Sequence, residues 1–152
     1  MSRRCGGRSN VPTVKPRGSV KPPVPTEDAE QAALFRMAAL HEKTYPALAL
    51  MFSIPNGSYK SPAAQRVFKA TGLKSGVPDV FLPAPRVLMI GGLPFHSAGL
   101  FLELKRTTGG VVSSAQAEWI AALTRAGYQA GVFKGWEAAW VAIVDYLEGN
   151  PL

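Results

Sequence analysis

Thiols are nearly missing from this 152-residue chain, which holds one cysteine, Cys5, close to its N-terminus. An intrachain disulfide and a thiolate zinc centre are therefore both excluded, and a reducing cytoplasm is the expected compartment. Acids are also missing from the start of the chain. Residues 1 to 25 carry Arg3, Arg4, Arg8, Lys15, Arg17 and Lys21 with no Asp or Glu, so this stretch supplies +6 of the formal +7; the other 11 basic and 10 acidic residues leave +1. Long apolar runs are absent too. The longest uncharged stretch, Val87 to Leu102, has 16 residues and is broken by Gly91, Gly92 and Pro94, which is too short and too interrupted to cross a bilayer, where about 20 apolar residues are needed. No apolar segment follows the basic N-terminus, so no secretory leader is expected. Histidine occurs only at His41 and His96, far from any metal-ligand spacing; they read as a helix-face and a loop histidine.

What remains is enough for one core. A 47% hydrophobic content in 152 residues predicts a single domain over residues 26–152. Pro12, Pro16, Pro22, Pro23 and Pro25, with the six cations, predict a disordered basic arm over residues 1–25. Two readings of the arm stand side by side: a set of salt-sensitive phosphate contacts, or a solvated tail.

Two short acidic strings carry the chemistry. Gly76-Val77-Pro78-Asp79 precedes the apolar Val80-Phe81-Leu82, and Phe101-Leu102-Glu103-Leu104-Lys105 follows 24 positions later, Asp79 to Glu103. Both read as core strands, and neighbouring strands would bring Asp79 and Glu103 to one end of a sheet. Residues two apart on a strand share a face, so Glu103 sits beside Lys105. Charges in so apolar a segment need partners or a metal. Two carboxylates suit Mg²⁺, a hard cation that takes oxygen ligands and keeps several waters, and a nearby lysine can orient a water or neutralise developing charge on a phosphate. Phosphodiester cleavage fits that set. An ordinary exposed strand face would also present a carboxylate and a lysine two apart.

The remaining pattern predicts an αββαβα-like order. Thr26 caps a first helix running to about Tyr45, where Pro46 ends it, with Leu34, Met37, Ala38 and His41 near one face. Leu48 to Ile54 reads as a strand and Pro55-Asn56-Gly57 as a turn. Ser61 caps a short helix over 62–70 that stops near Gly72. Between the acidic strings, 84–98 is loop-like, with a short strand at Val87 to Ile90 and a surface loop near the site from Gly92 to Ala98. A helix over 113–126 turns Trp119, Ile120 and Leu123 inward; a strand over 128–133 and a closing helix over 136–147, with Trp140, Ile143, Val144 and Leu147 at helical spacing, complete the chain. Helical spacing favours core packing for Trp119, Trp136 and Trp140, with base stacking as the other reading.

The run Ile54-Pro55-Asn56-Gly57, then Gly72 through Asp79, Gly99 through Lys105, Ser113-Ser114-Ala115-Gln116 and Gly127-Tyr128 resembles the VRR-NUC (virus-type replication-repair nuclease) domain of the PD-(D/E)XK superfamily, over roughly residues 27 to 148. The resemblance implies an α/β, restriction-endonuclease-like core with a mixed central sheet flanked by helices, and Mg²⁺- or Mn²⁺-dependent DNA cleavage. It implies Asp79 and Glu103 as metal ligands, with the Leu104 backbone carbonyl adding one, and Lys105 acting on the nucleophilic water. It also carries over a first-helix glutamate onto Glu30, holding a metal water, and the Ser-x-x-Gln glutamine onto Gln116. A stand-alone chain of this size resembles homodimeric structure-specific endonucleases, some cutting four-way junctions, from phage replication or host repair.

Plainer readings accompany each residue. Glu30 also suits the helix dipole in a first turn, and Gln116 completes a capping box with Ser113. Lys60, Arg66, Lys69 and Lys74 flank the approach to Asp79, as DNA-contact candidates or as a solvated face. A non-catalytic DNA-junction binding module on the same fold is the alternative function.

Overall fold

The computed structural model describes residues 24–55 and 61–152. The arm up to residue 23, the Asn56-Gly57 part of the expected turn, and Lys60 lie outside the described residues. The chain begins with α1 (Glu27–His41), capped by the Thr26 hydroxyl, which accepts from the Ala29 amide at 3.2 Å, with Glu27, Asp28 and Glu30 in the first turn where carboxylates complement the dipole. The helix stops at His41, not at Tyr45 as the sequence predicts, because a residue preceding proline is pushed out of the α region. Tyr45 has φ −124° and ψ 83°.

The strand expected over Leu48 to Ile54 begins instead in a 3₁₀ helix, Pro46–Leu50, and keeps only two strand residues, β1 (Phe52–Ser53). Pro46 at its first position presets φ, and the buried residues of the segment, Leu48 and Met51, are three apart, the 3₁₀ period and not the strand period. The predicted short helix is observed as α2 (Pro62–Ala70), the Ser61 hydroxyl accepting from the Ala64 amide at 3.2 Å.

Strands β2 (Val80–Leu82), β5 (Leu100–Lys105) and β6 (Gln129–Lys134) join β1 in a mixed sheet of order β1-β2-β5-β6, with β2 antiparallel and β6 parallel to β5. Helix α3 (Ser114–Arg125) makes the β5-to-β6 crossover that a parallel pair requires, and α4 (Trp136–Leu147) closes the chain against α1. Val80, Leu82, Leu100, Leu102 and Leu104 fill one face of the sheet and form one cluster with Leu34 and Ala38 of α1 and with Ala139, Ile143 and Tyr146 of α4. Each of those leucines, fully buried, contributes about 1.5–3 kcal/mol. The alternate residues Phe101, Glu103 and Lys105 fall on the other face. There Phe101 stacks on Phe81, with ring centroids 4.1 Å apart. Trp119, Ile120 and Leu123 of α3 are half-buried, and α3 has no fully buried residue among those described.

Between β2 and β5, the strand expected at Val87 to Ile90 is present as β3 (Arg86–Ile90), but Leu93–Ser97 is its partner strand β4 and not a surface loop. Gly91 and Gly92, at φ 58° and 80°, form the two-residue turn whose positive φ values match the strand twist. Pro94 sits on an edge strand, where a missing N–H is tolerated. The hairpin stands at the end of the sheet where Leu82 pairs with Leu100. The Tyr146 hydroxyl fastens its base, donating to the Ala84 carbonyl at 2.7 Å. Residues 83–99 thus leave and return at the end of the sheet remote from Asp79 and Lys105, so their length does not disturb the placement of the acidic strings.

Candidate active site

Antiparallel pairing puts the start of β2 beside the end of β5, and there the two acidic strings meet. Val80 pairs with Leu102, so Asp79, one residue earlier, comes level with Glu103. The Asp79 carboxylate accepts from the Leu104 amide at 2.9 Å, taking the place of a ladder partner where β2 ends. The N–H and C=O of one strand residue face the same neighbour, so the Leu104 carbonyl turns toward that same side. Extending the register by two residues sets Pro78 opposite it, and proline offers no N–H to pair with.

Glu103 is fully buried, at 0% exposure, and Lys105 is 5% exposed. Glu103 Oε1 accepts from Lys105 Nζ at 2.7 Å and from the Gln116 side-chain amide, while Oε2 has no hydrogen-bond partner among the described residues. Burial pushes the Glu103 carboxyl up to about 7, the Lys105 bond and charge opposing the rise and the Asp79 and Glu27 charges adding to it. For Lys105 burial favours the neutral amine, but the Glu103 bond together with the Glu103, Glu27 and Asp79 charges outweighs it, and the ammonium is held above its ordinary value. The result is a buried, hydrogen-bonded Glu103–Lys105 pair whose second carboxylate oxygen is itself buried and has no hydrogen-bond partner among the described residues.

Gln116 reaches this pair because of how α3 starts. Ser113 Oγ accepts from the Gln116 amide at 3.2 Å and the Gln116 Oε1 accepts from the Ser113 amide at 2.9 Å, a reciprocal capping box. The Gln116 side-chain nitrogen is thereby left to donate to Glu103. The two readings of Gln116 coexist, one oxygen serving the helix and one nitrogen the pocket. Gly76 lets α3 come this close: it has φ +84°, and a Cβ there would lie 2.7 Å from the Ala115 carbonyl carbon.

Asp79, Glu103, Lys105 and Gln116, together with Glu27, Ser75, Gly76 and Ser113, line one pocket of about 240 Å³. The structure does not bring Glu30 into it. Glu30 is 2% exposed and its Oε2 accepts from the Trp136 amide at 2.9 Å, capping α4 in place of Gly135, which has no side chain to do so. Glu27, one turn earlier on the same helix, stands at the pocket instead, its carboxylate 3.6 Å from Lys105 Nζ. The sequence pattern does not single out Glu27, though its i, i+3 spacing from Glu30 is a signal that both share a face. Arg66, Lys69 and Lys74 are exposed.

No cluster of three or more His, Cys, Asp or Glu side chains able to hold a metal occurs among the described residues. The donors present, the Asp79 carboxylate, the unpartnered Glu103 Oε2 and the Leu104 carbonyl, are all hard oxygens. Such a set fits Mg²⁺ or Mn²⁺, which binds through one or two carboxylates and keeps its waters for the substrate side, and does not fit a soft metal. No described helix is long and apolar enough to cross a membrane.

The comparisons with known proteins fall on this same region. The model of the VRR-NUC domain family matches residues 27–137, a span that contains every residue lining the pocket. A solved structure described as a VRR-NUC domain protein superposes with a TM-score of 0.66 at 27% identity, covering 85% of this chain and 93% of that one. No curated protein matches the chain.

Proposed function

The chain belongs to the VRR-NUC domain family, with its restriction-endonuclease-like PD-(D/E)XK core, and from that premise we propose that it is a metal-dependent, structure-specific DNA endonuclease. It hydrolyses phosphodiester bonds of branched DNA such as four-way junctions, in replication, repair or recombination, within a bacterial or phage-infected cytoplasm. One observation carries the reading: a fully buried glutamate that lines the pocket with Asp79 holds one oxygen against Lys105 and Gln116 and leaves the other without a hydrogen-bond partner among the described residues.

In this reading Asp79, Glu103 and the Leu104 carbonyl hold Mg²⁺ or Mn²⁺. When bound, the ion polarises a phosphoryl oxygen and acidifies a coordinated water. Gln116 and Lys105 fix the Glu103 carboxylate by its Oε1, which leaves Oε2 as the oxygen available to the ion. Lys105 Nζ orients the attacking water and offsets charge gathering on the phosphate. Glu27, beside Lys105, takes the water-holding role that the family resemblance assigns to Glu30, while Glu30 anchors α4. Water adds to phosphorus, the bond to the 3′ oxygen breaks, and that oxygen takes a proton, giving 5′-phosphate and 3′-hydroxyl ends. Arg66, Lys69, Lys74 and Lys60 bind the backbone phosphates, helped by the basic arm of residues 1–25. A homodimer matches the two-fold character of a four-way junction, and a monomeric mass in light scattering at working concentration would remove that part.

The test is cleavage of a labelled panel (four-way junction, flap, nicked and intact duplex, single strand) in Mg²⁺, Mn²⁺ or EDTA. Cutting that needs the ion and disappears in Asp79→Ala and Lys105→Ala is the expected result. Tight junction binding with no cutting under any metal would replace the enzyme by a binding module on the same fold.

A further inference from the structure

Beside the acidic pocket lies a second, more apolar slot of about 300 Å³, lined by Ile54, Gly72, Leu73, Lys74, Val77 and Trp119. Its volume is at the small end of the roughly 300–1,000 Å³ range of ligand clefts, with room for a nucleobase-sized ring system. The two cavities share their walls. Gly72, Leu73 and Lys74 line the slot, and the next two residues, Ser75 and Gly76, line the acidic pocket. On α3, Gln116 belongs to the pocket and Trp119 to the slot, three residues and about 4.5 Å of helix rise apart. That separation is comparable to the spacing of successive nucleotides, about 3.4 Å per strand in B-form DNA and longer when a strand is stretched.

The walls suit a flat aromatic ligand that carries a negative charge. The Trp119 indole is held by its one polar atom, Nε1 donating to the Ser75 carbonyl at 3.0 Å, which fixes the ring in place and uses the edge that would otherwise seek a partner. Lys74 Nζ lies 5.9 Å from the ring centroid, placing a cation and a π-face at the same mouth. Aromatic faces paired with cations are how proteins take unpaired bases without regard to sequence. Leu73, Val77 and Ile54 supply apolar packing for the opposite side of such a ring.

We propose that this slot receives one unpaired nucleobase of the strand being cut, stacked on Trp119 with its phosphate at Lys74, so that the substrate is DNA with an unpaired nucleotide next to the scissile phosphate. The inference rests on the nuclease reading and narrows its substrate: a base stacked inside an intact duplex cannot enter the slot, whereas one at a branch point or flap is already free. It also assigns to Trp119 a task that helical spacing alone assigns to core packing.

The test measures binding in EDTA, where cutting plays no part. Branched DNA and a fully paired duplex of the same sequence carry 2-aminopurine at successive positions around the branch. In the unmodified protein, the fluorescence of one unpaired position should be quenched on binding. Trp119→Ala should weaken branched DNA by about 5- to 150-fold and leave duplex affinity unchanged. Trp119→Phe, which keeps a π-face but cannot donate to Ser75, should retain most of the affinity. Equal loss on branched and paired DNA, a Phe variant as weak as the Ala variant, no quenched position, or no binding to either DNA would each overturn the slot. Selective binding by this pattern without cutting in Mg²⁺ would instead remove the nuclease and keep the slot; cutting with Trp119→Ala binding normally would do the reverse.

Discussion

Replacing Gly76 by alanine tests whether the pocket depends on the close seating of α3 against the loop that leads to Asp79. Gly76 has φ +84°, and an added Cβ would meet Ala115 backbone and side-chain atoms at 2.7–2.9 Å, on the first turn of the helix that delivers Gln116 to Glu103. Gly127 is the matched control. It has φ +89° with nothing within 4 Å of an added Cβ, so Gly127→Ala carries only the left-handed backbone penalty, about 1–2 kcal/mol. Gly76→Ala adds overpacking against backbone, about 1–3 kcal/mol more, for a total of roughly 2–5 kcal/mol. Urea unfolding of the two variants reads the difference directly. Cleavage should separate them further: an ångström of misplacement at a reacting site costs on the order of 100-fold, so Gly76→Ala should cut junctions about that much more slowly at a temperature where it is still folded, and Gly127→Ala should cut normally. Equal destabilisation of the two variants, or wild-type cutting by Gly76→Ala, would refute the reasoning.

The carboxylates supply two more tests. Glu27→Gln should slow cleavage with little effect on stability, because it stands half-exposed near Lys105, whereas Glu30→Gln should lower stability by about 1–2 kcal/mol through the α4 cap while cleavage persists; thermal unfolding and initial rates on one junction substrate would distinguish the pair, and the opposite pattern would return the catalytic role to Glu30. In the metal-free protein, Glu103 holds its proton up to about 7 against an ordinary 4.5, so between those values the native state binds a proton that the unfolded chain has lost, and this group's contribution makes stability fall as pH rises through that window. Glu103→Gln should remove that slope in EDTA-treated unfolding series at pH 4.5 to 7.5, and an unchanged slope in the variant would assign it to other groups.

Much of the site is legible in the sequence because its signals are local. Val80-Phe81-Leu82 and Leu100-Phe101-Leu102 are continuous apolar runs that leave a strand little alternative, and an antiparallel pair of them with Val80 opposite Leu102 brings Asp79 to Glu103. Ser113 and Gln116 stand at capping-box spacing, so the start of α3 is legible as well. The rest depends on partners distant in sequence. Pro46 turns an apolar run into a 3₁₀ helix because Leu48 and Met51 have a core to enter. Leu93 to Ser97, carrying Pro94 and following two glycines, looks like loop until β3 offers it an edge. Glu27 and Glu30 lie on one face of α1 at the same chemical type, and only the position of α4, whose first amide claims Glu30, decides which of them is left for the pocket.

The hairpin β3–β4 has a practical consequence. Its Gly91–Gly92 turn lies at the end of the sheet away from the acidic pocket, with nothing packed against either glycine. Foreign sequence spliced in there would ride on the molecule without touching the acidic pocket. That makes the turn a natural port for grafting a separate DNA-addressing module, so that where the protein goes and what it does on arrival could be exchanged independently.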